Sequence, residues 1–262
     1  MLRKVFFSIK EIGFKKTIIK SINYFSKKNS KRRDLKKKIF ETKSIKKRFN
    51  EIYQSNFWLG ESRSGTGSEL NVTKNIRAEL PIIFKKFNIK KIFDAPCGDF
   101  NWMREFLKNY EIDYLGADIV KDIININKKK YENNKTKFKE LDIIIDKLPK
   151  SDLMICRDCL FHFSNSDIFS FFNNFLSSEI KYLLITSHLN QEHKFENRDI
   201  LTGDFRLIDF FSPPFNFKKN YLYSFDDREN EQSNYKQMYL FSKSQIESNL
   251  TKCDKKILKP GF

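Results

Sequence analysis

Three aspartates close three successive apolar runs in this chain, and their spacing suits a nucleoside site. The first lies in Lys91-Ile92-Phe93-Asp94-Ala95-Pro96-Cys97-Gly98-Asp99, an apolar run that ends in a tight acidic turn with one glycine. The second, Asp118, follows Asp94 by 24 residues in Gly116-Ala117-Asp118-Ile119, and Asp142-Ile143 stands just past a third run. Turns at the carboxyl ends of successive strands are where open α/β sheets hold nucleosides. Asp94 can anchor its turn or accept from a ligand ammonium, and Gly98 lets backbone come close to the ligand. Asp118 can accept from both hydroxyls of a ribose, and Asp142 from an adenine amino group with Ile143 packed on the ring. Such an acidic lining favours a cation over the anionic pyrophosphate of a dinucleotide.

The elements that must position these residues alternate. The patterning predicts strands at 91–95, 114–118, 137–140, 153–157 and 182–187, with helices at 102–109, 123–131 and 166–176. Later strands are expected at 221–225 and 238–241, then a helix at 243–250. This order implies βαβ units and a mostly parallel sheet. Upstream, 70–87 reads as a helix with Ile76, Leu80, Ile83, Phe84 and Phe87 on one face. Before it comes Trp58-Leu59-Gly60-Glu61-Ser62-Arg63-Ser64-Gly65-Thr66-Gly67-Ser68, a hydroxyl-rich loop that reads as a flap over the ligand or as a plain turn. It lacks the Gly-Lys-Ser/Thr ending of a nucleoside triphosphate loop, which excludes that chemistry.

A chain of 262 residues, 40% of them apolar, can bury one α/β core. Its net charge of +17 suggests a nucleic-acid binder until the distribution is considered. Residues 1–50 hold 18 Lys and Arg against 3 Asp and Glu, whereas the remaining 212 hold 32 against 30. The charge therefore belongs to a basic N-terminal arm, taken as residues 1–48, ahead of a nearly neutral domain at 49–262. Within the arm, 5–25 reads as an amphipathic helix and 27–47 as a basic hinge or second helix. The arm is a solvated tail or docks on an anionic membrane face. Nucleic acid is the weaker reading, because no recognition module accompanies the charge. Four cysteines at 97, 156, 159 and 253 form no disulfide framework, and Lys or Asp breaks every long apolar run. The short apolar stretch Val5-Phe6-Phe7 is soon followed by Lys10 and Glu11, unlike a signal peptide, so a soluble cytoplasmic protein is expected.

The residues resemble those of class I S-adenosylmethionine-dependent methyltransferases. Phe93-Asp94-Ala95-Pro96-Cys97-Gly98-Asp99 is similar to the first motif, Gly116-Ala117-Asp118 to the ribose-binding acid, Asp142 to the adenine position, and Asp152-Leu153-Met154-Ile155-Cys156-Arg157-Asp158 to the fourth motif. Pro96 and Phe100 depart from it by standing where that motif carries glycines. More narrowly, 58–68 together with 94–103 is similar to small bacterial methyltransferases of surface-polysaccharide gene clusters. The resemblance runs from about Trp58 to Phe241. It implies a Rossmann-like α/β fold with a basic helical extension, S-adenosylmethionine as cofactor, and cofactor-binding roles for Asp94, Ala95, Pro96, Cys97, Gly98, Asp99, Asp118, Ile119, Asp142, Ile143 and Arg157. The acceptor it implies is a glycan or another small molecule, with RNA, protein, or a non-catalytic scaffold as the alternatives.

Methyl transfer from a sulfonium needs an acceptor atom in line with the methyl group, and a base only when that acceptor is a hydroxyl or neutral amine. His162, after the fourth strand, and His188, after the fifth, lie at the ligand edge, with His193 slightly beyond. A histidine near its ordinary pKa of about 6.5 suits a sugar hydroxyl, and Asp158 can orient or assist it; purely structural roles are equally open. If the acceptor oxygen is already anionic, Arg63, Arg77, Arg198 and Arg206 become the clamps. Trp102 and Phe100 can wall the pocket. The long polar segment 197–215 reads as an acceptor-selecting lid or as an ordinary surface excursion. Cys156, Cys159 and His162 offer too few ligands for a structural zinc, so no metal is expected.

Overall fold

The computed structural model describes residues 30–190, 194–228 and 235–257, with the side chains of 251–257 left out. The helix expected over 5–25 and His193 lie outside the described residues. Two compact units divide the chain, Met1–Ser44 and Ile45–Phe262. In the first, residues 30–41 form helix α1, which carries most of its lysines and arginines exposed. The boundary expected at 48/49 falls inside α2 (Ile45–Gln54), and this helix belongs wholly to the second unit.

In that second unit, α2 is followed by α3 (Lys74–Phe87), β1 (Lys91–Asp94), α4 (Asn101–Leu107), β2 (Asp113–Asp118), α5 (Lys121–Tyr131) and β3 (Thr136–Glu140). Then come β4 (Leu153–Cys156), α6 (Asn165–Ser177), β5 (Tyr182–His188), β6 (Tyr223–Asp226), β7 (Lys236–Ser242) and α7 (Lys243–Ile257). The seven strands form one sheet in the order β3-β2-β1-β4-β5-β7-β6. The first five are parallel; β7 runs antiparallel between β5 and β6.

Strand periodicity sorts side chains onto two helical layers. Phe93, Met154, Leu183, Ile185 and Phe241 point into a core with Phe171, Phe172 and Phe175 of α6 and Ile246 of α7, against which Ile45 and Phe49 of α2 pack. Their neighbours Ile92, Leu153, Ile155, Leu184 and Leu240 face Ile76 and Leu80 of α3, Met103 of α4 and Ile124 of α5. Central strand β4 is buried throughout, as a parallel strand covered on both faces must be.

The helix expected from residue 70 begins at Lys74, because Thr73 turns its hydroxyl back to the Glu69 carbonyl at 3.0 Å. At the other end, α7 runs to Ile257, past the expected 250. Among the described residues no helix is long and apolar enough to cross a membrane. Phe172 is fully buried, its ring centroid 5.3 Å from Phe171, 5.7 Å from Phe210 and 5.2 Å from Phe217. Phe172→Ala is expected to cost about 3–5 kcal/mol, read as a lowered urea midpoint.

Candidate functional site

The parallel strands end on one edge, and the chain turns there to enter its helices. After β1, Gly98 takes a φ of 53° and Phe100 a φ of 60° to start α4. The turn and the end of β2 are tied together: Gly98 N donates to Asp118 Oδ2 at 3.2 Å and Val120 N to Asp118 Oδ1 at 2.9 Å. Asp94 Oδ2 accepts from the Tyr114 hydroxyl at 2.8 Å, and Asp142 Oδ1 accepts from Ile144 N at 2.9 Å. Asp94, Asp118 and Asp142 line a single cleft of about 1020 Å³, its open mouth included.

Burial dominates the electrostatics of these acids. It raises the Asp94 carboxyl to about 7, against the opposing pull of the Tyr114 hydrogen bond and Arg157. It raises Asp118 to about 6 despite the backbone N–H donors. Asp142 is also raised, again by burial. The cleft thus concentrates acidic groups that a bound cation would hold ionised.

The loop from Trp58 to Ser68 is clamped over the turn. Ser62 Oγ and Arg63 N donate to Asp99 Oδ2 at 2.9 and 3.2 Å, Asp99 N donates to Ser64 Oγ at 2.8 Å, and Asn101 Nδ2 donates to the Ser68 carbonyl at 3.0 Å. A Cβ on Gly98 would stand 2.2 Å from Ser64 Oγ, so the missing side chain makes room for the loop. The cleft is completed on this side by Ile45, Phe49 and Tyr53 of α2.

Deeper in, four ions form a compensated cluster. Arg157 Nε donates to Asp227 Oδ2 at 2.9 Å, and its NH1 reaches Asp158 Oδ2 at 3.2 Å and the Gly67 carbonyl at 2.7 Å. Lys236 Nζ lies 2.9 Å from Asp158 and 3.2 Å from Asp227. Arg157 NH2 is buried with no hydrogen-bond partner in the structure, and Arg157 lines the cleft.

A second cavity adjoins the cleft and shares Trp58, Ser64, Ser68, Asp158 and His162 with it. His188, Phe161, Phe205, Arg228 and Lys236 complete much of its wall. Trp58 stacks on His162 with ring centroids 4.7 Å apart. His162 Nδ1 lies 2.7 Å from the Asp204 carbonyl, and His188 Nδ1 accepts from Ile208 N at 3.2 Å.

The cleft gathers Asp94, Pro96, Cys97, Gly98, Asp118, Ile119, Asp142, Ile143, Arg157, Arg63 and Trp102, with Asp158 and His162 at its junction with the second cavity. Several expected residues have other places. Ala95 is fully buried and lines neither space. Asp99 holds the loop instead of facing the cleft. Arg77 lies elsewhere, its guanidinium bonded to the Leu70 and Thr73 carbonyls at 2.6 and 3.2 Å. Arg198 and Arg206 line a separate hollow, and Arg206 is spent on the Phe163 carbonyl at 2.5 Å and Asn165 Oδ1 at 2.9 Å. Asp158 is a poor proton acceptor: burial alone would raise its carboxyl, but Arg157 and Lys236 outweigh that and hold it well below the usual range. Neither histidine keeps an ordinary pKa, since burial lowers both His162 and His188 to about 4.

Asp227, Lys236 and Tyr114 were not among the expected site residues. The signal for the first two is directional. Because β7 is antiparallel, its first residue lies at the same edge as the carboxyl ends of the others, and Lys236 pairs in register with His188. Among the described residues no group of His, Cys, Asp and Glu could hold a metal, and Cys97, Cys156 and Cys159 are free and buried.

No family model matches the chain, and no curated protein matches it. Solved structures do. Magnesium protoporphyrin IX methyltransferase from Synechocystis PCC 6803 with bound SAH superposes with a TM-score of 0.51 at 13% identity, covering 76% of this chain and 99% of that one. The same enzyme with SAM gives 0.50 at 13%, covering 77% and 98%. The methyltransferase domain of bacterial-CtHen1-C gives 0.50 at 13%, covering 65% of this chain and 98% of that one. At such identities the likeness establishes the fold, a Rossmann-like class I methyltransferase fold.

Gly98→Ala is expected to lift the 62–68 loop, because the new Cβ meets Ser64 and the φ of 53° is unfavourable to any side chain. The cost should be about 1–2 kcal/mol, and hydrogen exchange at Ser62–Ser68 should accelerate. Unchanged exchange there would contradict the clamp.

Proposed function

We propose that the chain is an S-adenosylmethionine-dependent methyltransferase whose acceptor is small and polar, a sugar hydroxyl or phosphate-type group in surface-polysaccharide biosynthesis. The observation that carries this reading is the convergence of Asp94, Asp118 and Asp142 on one cleft of this fold. Two of the superposed structures hold SAM or SAH.

The residues fit that ligand. Asp118 would take the ribose hydroxyls, Asp142 and Ile143 the adenine, and Asp94 the ammonium. The orphaned NH2 of buried Arg157 calls for an acceptor, which the ligand's carboxylate supplies. When bound, S-adenosylmethionine supplies a methyl group on a positively charged sulfur. The chain's part is to orient, to exclude water beneath the 58–68 loop, and to present an acceptor from the adjoining cavity.

Affinity should follow the cleft's charge. Lowering the pH protonates Asp94 near 7 and Asp118 near 6, and each proton removes a negative charge that faces the cation. The Kd for S-adenosylmethionine is therefore expected to rise as pH falls from 8 to 5, by up to about tenfold per unit for each carboxylate titrating. Calorimetry checks this; a flat Kd, or no binding at all, would overturn the reading. Asp118→Ala should weaken binding by about tenfold to a hundredfold. Tritium from methyl-labelled S-adenosylmethionine should enter a surface-polysaccharide fraction, and label in RNA or protein alone would refute that acceptor class.

A further inference from the structure

We propose that helix α1 and the sequence ahead of it dock the protein on an anionic lipid bilayer. The surface belongs to the first compact unit, Met1–Ser44, and shares no residue with the cleft or its adjoining cavity.

Charge is divided unevenly between the two units. Residues 1–44 carry 15 Lys and Arg against 3 Asp and Glu, whereas the 218 residues that follow carry 35 against 30. The side chains sharpen the contrast. In the second unit, surface lysines meet carboxylates: Lys135 lies 3.0 Å from Asp113, Lys150 2.9 Å from Glu179 and Lys181 2.8 Å from Asp152. On α1, Lys31, Arg33, Lys37 and Lys38 are exposed and pair with no carboxylate among the described residues, although Asp34 and Glu41 stand on the same helix. Ile39 is the one residue of α1 that is fully buried.

An uncompensated cluster of one sign acts on what touches it, because physiological salt screens charge beyond about 8 Å. An anionic bilayer presents many phosphates within that range. Each Lys or Arg brought to such a surface strengthens binding about fivefold.

The sequence ahead of α1 favours lipid over nucleic acid. Residues 1–25 include 13 Met, Leu, Val, Ile, Phe and Tyr. Phe14, Ile18, Ile22 and Phe25 recur every three or four positions, with Lys15, Lys16 and Lys20 among them. RNA phosphates would engage the cations and leave these apolar groups in water. A bilayer accepts both, the cations at its headgroups and the apolar groups at the acyl boundary. The two signals reinforce each other, since charge alone yields to salt and a short apolar stripe alone binds weakly. Docking of this kind raises the concentration of the second unit at the membrane surface.

Co-sedimentation of the full chain with vesicles tests the assignment. The probes are vesicles of phosphatidylcholine alone and of phosphatidylcholine with about 30% phosphatidylglycerol, in about 0.15 M salt. The result expected is binding at least about tenfold tighter to the anionic vesicles, weakened when salt is raised to about 1 M. Replacing Lys31, Arg33, Lys37 and Lys38 together by Gln should loosen that binding by about tenfold or more. Phe14→Gln, Ile18→Gln and Phe25→Gln combined should loosen it to a similar extent. Thermal midpoints matching wild type would show that both variants fold, and a variant that does not fold leaves the vesicle comparison on the wild-type chain to decide. Equal binding to both vesicle types, or charge-variant binding as tight as wild type, would overturn the proposal. Tighter binding to duplex or single-stranded RNA than to the anionic vesicles at the same salt, or an apolar variant that still binds fully, would overturn it in favour of a nucleic-acid or purely electrostatic partner. S-adenosylmethionine affinity is measured separately on the same chain, so failure of either reading leaves the other standing.

Discussion

Desolvated carboxylates are costly, and this fold collects them at one sheet edge without enough fixed cation to neutralise them. Asp94 is buried in the wall of the cleft, and its one hydroxyl donor, Tyr114, does not offset the loss of water. Asp118 receives two backbone N–H groups within hydrogen-bond range and is still pushed up. Such an arrangement is poorly suited to stability and well suited to a positively charged guest, which restores what burial removed.

The neighbouring charge cluster obeys a different logic. Arg157, Asp158, Asp227 and Lys236 are two cations and two anions in mutual contact, so their burial is compensated. The cluster acts as a strut. It ties β4 to the start of β7, and through the Gly67 carbonyl it holds the loop that roofs the cleft. A Cβ on Gly67 would come within 2.6 Å of Asp158, which explains why a residue without a side chain stands there. The cleft's acids lack fixed cations, whereas the cluster's charges balance one another and leave only Arg157 NH2 and Asp227 Oδ1 among them without a hydrogen-bond partner.

Most of the fold was legible in the sequence because each central element carries its own signal. The runs ending at Asp94 and Asp118 are apolar and short, the intervening segments have helical period, and the observed strands begin and end within about two residues of expectation. The three acids were legible for the same reason, since a residue at a strand's carboxyl end lies at the ligand edge whatever the strand's neighbours. Contributions that depend on tertiary direction were not legible. Lys236 reaches the edge only because β7 is antiparallel, and Asp227 only because β6 returns beside it. Arg77 looked like a clamp by type, yet the Thr73 and Leu70 carbonyls, four and seven residues upstream, claim its guanidinium. The ionisation of His162 and His188 was equally hidden, because it is set by burial among aromatic rings that come from distant segments.

The central claim concerns the protonation of two carboxyl groups, so the most direct measurement observes them. Carbon-13 NMR of aspartate-labelled protein, with Asp94→Asn and Asp118→Asn for assignment, would follow each carboxyl carbon through pH with and without S-adenosylmethionine. The account predicts midpoints near 7 for Asp94 and near 6 for Asp118 in the free protein, both moving down when the cation binds. Ordinary midpoints near 4, unmoved by S-adenosylmethionine, would contradict it.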